Sequence, residues 1–204
     1  MCERCEGGPG LDRSIQVTDD TVGLMFHEST HVALQAASAY SNRWYGAAQG
    51  FVDDMADVWG GHGLVRMAFV WGAGWYFLPA PPGTDHTPGN AEMALLHQLV
   101  HGAEPLPHET ASQVALADQI VAACKRVAEH ASKGESVEIA KVMDAFDGDE
   151  FDKLLLILMA GCGMRLRHSR DTGNTQAGKL FMAHIHADLR GDPDDETEEG
   201  SGAH

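Results

Sequence analysis

Apolar side chains recur at the three- and four-residue spacing of an α-helix in one segment of this chain after another, which leaves little room for a sheet. Residues 22–40 carry Val22, Phe26, Ser29, Ala33, Ala36 and Tyr40 on one face and Leu24, His27, His31 and Leu34 on another. A helix apolar on two sides is expected to be buried centrally. Thr18, Asp19 or Asp20 can cap it by accepting bonds from its first free amides. Residues 42–58 pack through Ala48, Phe51, Val52, Met55 and Trp59, and Gly60-Gly61-His62-Gly63 then breaks the chain. A very apolar run resumes at 64–78 with Trp71, Trp75, Tyr76 and Phe77. It is too short, and too interrupted by Arg66, Gly72 and Gly74, to span a bilayer, so it reads as a buried helix or a hydrophobic contact surface.

Further helices are expected at 90–102, 109–133, 136–146 and 149–168, the last central because 154–159 is the most apolar run of the chain. Cys124 and Cys162 fall at packing positions. Ile15 and Val17 alternate with polar residues as in a short strand, and 180–189 fits either a strand or a helix, with His184 and His186 at the surface. The fold class that follows is mainly α, a single helical domain at 13–190 with few short strands.

The ends differ in composition from that domain. Residues 1–12 form a glycine-rich, flexible lead whose Cys2 and Cys5 make a C-x-x-C without a second half, so a reduced pair is expected rather than a zinc knuckle. No apolar signal core is present, which points to a cytoplasmic protein. Residues 191–204 are acidic and nearly devoid of apolar side chains, as a disordered tail is. With 14 Lys and Arg against 30 Asp and Glu the net charge is -16, which excludes nucleic-acid binding through phosphate contacts.

The chemistry-bearing stretch is His27-Glu28-Ser29-Thr30-His31. Histidines four apart stand one above the other on a helix, so both imidazoles can reach one ion. A glutamate next to the first histidine is turned partly off that line and can act on a water held by the ion without becoming a ligand. Leu24, Met25 and Phe26 before the motif and Val32 and Ala33 after it are uncharged, as a helix buried beside a metal requires.

This H-E-x-x-H pattern resembles that of the zincin metallopeptidases. In their gluzincin branch a second helix about twenty residues further on gives a third carboxylate ligand, and an Asp one turn later supports a ligand histidine. Asp53 and Asp57 stand at that spacing and share a face with Gly46, Gly50 and Gly60, small residues that would admit a neighbouring helix. The resemblance therefore implies Zn2+ held by His27, His31 and Asp53, with Glu28 as the catalytic base and Asp57 as the supporting residue. It covers about residues 22–60. The chain departs from the family in having Asp where a Glu is usual, and only 26 residues precede His27, room for one short strand and not for a substrate-holding sheet. His97 and His101 form a second pair four apart, and either is a candidate to complete the metal shell or to stabilise an oxyanion.

The same residues also read without chemistry, the histidines as ordinary members of an amphipathic helix and Asp53, Asp54 and Asp57 as a solvated face. Two functional classes follow. One is a zinc-dependent hydrolase acting on a peptide or protein substrate. The other is a non-enzymatic acidic helical protein that works by protein contacts, through a surface at Trp71 to Phe77.

Overall fold

The computed structural model describes residues 15–81 and 111–187, leaving aside the side chains of 111–115 and 117. The lead with Cys2 and Cys5, the 90–102 segment with His97 and His101, and the acidic tail lie outside the described residues. Among the described residues 83% are helical and none is in a strand. The helices are α1 (Val22–Ser41), α2 (Tyr45–Phe77), α3 (Ala111–Ser132), α4 (Ser136–Met143), α5 (Gly148–Asp171) and α6 (Thr175–Ala187). None of them is long and apolar enough to cross a membrane.

α1 and α2 form a hairpin closed by a turn in which Arg43 takes a φ of 64°. That left-handed residue lets Arg43 N–H reach Tyr40 O and Trp44 N–H reach Ala39 O, both at 2.9 Å, so carbonyls at the end of α1 keep partners. Past the turn, α2 is one helix in name and two in geometry. Gly60, at φ 57° and ψ -145°, breaks the helical path in a region that a Cβ makes costly. The outer half, residues 45–59, buries a single stripe of Ala48, Val52, Met55 and Trp59. The inner half, residues 61–77, is buried almost all round from Arg66 to Trp75, and α1, α3, α5 and α6 all pack on α2.

Tryptophans of α2 tie these layers together. Trp71 Nε1–H donates to Ala33 O of α1 at 2.9 Å, and Trp75 Nε1–H donates to Leu158 O of α5 at 3.0 Å. Each indole gains the packing of a large ring without leaving a buried donor unmet. Arg66 is buried in the same layer, where its Nε donates to Thr30 Oγ1 at 3.1 Å and its Nη2 to Ile185 O at 3.0 Å. Its guanidinium also lies 4.5 Å from the Phe69 ring centroid. Elsewhere the helices meet through small residues. Gly163 of α5 rests on the Ala37 carbonyl of α1, and Gly74 of α2 faces Cys162. Burial there pushes the Cys162 thiol up to about 12.

Several expectations are revised. Ile15 and Val17 are not in a strand: Ile15 N–H donates at 2.7 Å to Val58 O, just before the helix breaks, which is where carbonyls lose their intrahelical amides. Capping of α1 comes from the Thr18 backbone carbonyl, which accepts from Val22 N–H at 2.8 Å, and not from the side chain of Thr18, Asp19 or Asp20. Only one face of α1 is buried, so α2 and α5, rather than α1, are central. Residues 175–187 are helical. In that helix His186 is exposed as expected, whereas His184 is half-buried, its ring stacked on Phe69 and its Nε2 2.7 Å from Ala131 O. Trp71 and Trp75 are buried and Phe77 half-buried, so only Tyr76 of the proposed contact surface is exposed. Among the described residues, nothing lies within 4 Å of a Cβ added at Gly46, Gly50 or Gly60, so no described helix packs on that face.

Candidate functional site

The phase of α1 is set by its apolar face, and that phase decides where the motif points. Ser29 and Thr30, the two middle residues of the motif, face the core; Ser29 Oγ–H points at Met55 Sδ, 3.2 Å away. His27 and His31 therefore stand on the opposite side, both exposed. Glu28 lies between these two directions and is half-buried. Its Oε2 accepts a hydrogen bond at 2.9 Å from Nε1–H of Trp59, the last residue of α2 before the break. A carboxylate held by an indole at the edge of the core has one oxygen fixed and the other left for chemistry.

Between α1 and the outer half of α2 runs a groove of about 450 Å³. It is lined by Leu24, His27, Glu28, His31 and Val32 from α1 and by Asp54, Met55 and Val58 from α2. The first set repeats at three and four residues, and the second joins Met55 of the buried stripe to Asp54 and Val58 on one of its flanks, so two helix edges supply the whole lining.

The carboxylate that α2 brings to this groove is Asp54, a residue that spacing alone did not single out. Asp53, the expected third ligand, is exposed, does not line the groove, and accepts a bond from Gln49 Nε2 at 2.9 Å one turn back. Asp57, the expected supporting residue, is exposed and outside the lining as well. His31 pairs instead with Gln35, ring Nε2 to amide Nε2 at 3.0 Å.

As placed, no three His, Cys, Asp or Glu side chains among the described residues are gathered tightly enough to hold a metal ion. The donors suit zinc in kind, however: two imidazoles one turn apart and the Asp54 carboxylate line the same groove, beside Glu28. His27, His31 and Asp54 are all exposed, and exposed rotamers interconvert within nanoseconds, so packing does not lock these side chains in one position. No family model, curated protein or solved structure matches this chain.

Proposed function

We propose that the groove between α1 and the outer half of α2 is a zinc-dependent hydrolytic site of metallopeptidase type. The observation that carries the reading is that His27, Glu28, His31 and Asp54 all line one groove. His27, His31 and Asp54 would hold the metal, which when bound supplies a Lewis acid and lowers the pKa of water. Glu28 would take the proton from the attacking water, its carboxylate oriented by the Trp59 indole. The apolar walls at Leu24, Val32, Met55 and Val58 would exclude bulk water and seat a substrate side chain.

Metal analysis of untagged protein grown with zinc tests the proposal directly. About one zinc per chain is expected, lost in His27→Ala and His31→Ala because three protein donors fall to two. Glu28→Gln should keep the zinc and lower peptide hydrolysis by roughly 10²- to 10⁴-fold. Comparing Asp54→Ala with Asp53→Ala identifies the third donor; the expected result is zinc loss in the first alone. Wild-type protein that carries no zinc refutes the reading.

A second reading, a non-enzymatic protein acting by contact, is favoured by one observation. Glu28 and His31 already have partners inside the fold, Trp59 and Gln35, as motif residues with a purely structural role would. The same zinc measurement separates the two.

A further inference from the structure

The groove combines apolar walls with acidic side chains. Leu24 is 52% exposed and Val58 36% exposed, and they stand on different helices at the same groove. Single exposed aliphatic residues are ordinary, but two that face one concavity form an apolar seat. Glu28 and Asp54 lie in that seat, and Asp53 and Asp57 are exposed on the adjoining turns of α2.

Among the described residues no Lys or Arg lines the groove. α1 contains no Lys or Arg, and α2 contains only Arg66, which is buried and bonded to Thr30 and Ile185. Arg43 is in the turn at the far end of the hairpin. The ion pairs between described residues lie between Glu129 and Asp171, on α3 to α5 and the turn after α3. Carboxylates beside low-dielectric walls focus a negative potential into the groove, so cations are drawn in and anions kept out. A second copy of this chain, with a net charge of -16, would meet repulsion there.

We infer that the groove binds a peptide segment presenting an apolar side chain next to lysine or arginine. The apolar side chain lies against Leu24, Met55 and Val58, and the cation meets Asp54 and Glu28. A volume of about 450 Å³ suits one or two side chains and not a folded domain. This inference rests on reading the groove as the functional site and concerns its metal-free state, since Asp54 cannot hold an ion and the peptide's cation at once. A neutral peptide leaves the carboxylates without a partner, and an acidic one is repelled.

The experiment uses the full chain, stripped of metal with chelator, and three fluorescein-labelled pentapeptides followed by anisotropy. The first has a leucine flanked by lysines, the second replaces its lysines by glutamates, and the third replaces its leucine by glycine. The first should bind at least about tenfold tighter than either other, and should weaken about tenfold between low and physiological salt. Leu24→Ser and Asp54→Asn, both at exposed positions, should each weaken it by about tenfold, while Asp144→Asn, just past the end of α4 and away from the groove, leaves it unchanged. Equal binding of the acidic peptide, indifference to both groove variants, or no binding of any peptide overturns the inference. Zinc content measured on the untreated protein keeps the two proposals apart. Zinc without peptide preference retains the hydrolytic site and removes this inference, whereas peptide preference without zinc does the reverse.

Discussion

Trp59 joins the motif to the core, and its bond to Glu28 is the contact most open to measurement. A hydrogen bond to a charged acceptor is worth about 1.5–3 kcal/mol, more than a neutral one, because the partially buried carboxylate has lost water that the indole replaces. A double-mutant cycle of Trp59→Phe and Glu28→Met, which remove the donor and the acceptor, should show a coupling of about 1–2 kcal/mol by urea denaturation. Additive effects would mean that the bond does not form in solution. Two other residues set the alkaline limit of the fold. Burial raises the Cys162 thiol from 9.0 to about 12, and burial followed by the neighbouring Tyr45 raises Tyr40 from 10.0 to about 12. Both groups keep their protons longer in the folded chain, so the unfolded chain binds fewer protons above the lower value and stability falls as pH rises. From neutral pH up to 9.0 these two groups leave denaturation midpoints flat, and the midpoints should drop from there towards about 12, less steeply in Cys162→Ala. At this scale the sequence disclosed the types of residue and not their directions: the motif marked Glu28, but nothing in it marked Trp59, 31 positions away.

At the scale of the helix, direction was nearly available. Ala48, Val52, Met55 and Trp59 were legible as the packing stripe of the outer half of α2, and at about 100° per residue Asp57 lies roughly opposite that stripe, with Asp53 and Asp54 on its two flanks. The phase alone therefore turns Asp57 to solvent. What sequence spacing could not supply is which flank α1 occupies, since that depends on the hand of the hairpin turn through Arg43. The same reasoning sorts the glycines. At Gly50 an added Cβ meets open space, so Gly50→Ala should stabilise by about 0.5–1 kcal/mol through helix propensity. At Gly163 it would collide with the Ala37 carbonyl, backbone that cannot step aside, and Gly163→Ala should destabilise by about 1–3 kcal/mol. Thermal melts of the two variants should move in opposite directions, and a Gly163→Ala protein as stable as wild type would deny the close contact of α1 and α5. The break at Gly60 belongs here too. Gly60→Ala places a side chain at φ 57°, costing about 1–3 kcal/mol, and it should alter the groove more than the core because the outer half of α2 is the part that must reorient.

Over the whole molecule the helical class was legible because periodicity repeats, and errors in single segments do not change the class. Centrality was harder. Two partly apolar faces on α1 suggested a buried helix, yet the face with Leu24, His27 and His31 borders the groove and remains open. The 64–78 run was correctly seen as apolar, but only its packing against α1, α3 and α5 distinguishes a core helix from a docking surface. Net charge acts at this scale as well. A chain at -16 repels itself when compact, so its urea midpoint at neutral pH should rise when salt goes from about 20 to 500 mM, as screening shortens the range of that repulsion. A midpoint that fell with salt would show that ion pairs outweigh it. The kink in α2 has one more effect, on how the protein opens. Its outer half is buried along one stripe and its inner half almost all round, with the hydrogen-bonded ladder interrupted between them at Gly60. Amides of residues 45–59 should then exchange with solvent deuterium through a partial opening, while those from Arg66 to Trp75 wait for global unfolding. Any ligand that fills the groove would slow the first set and leave the second untouched, recording its occupancy in the exchange pattern of a single helix.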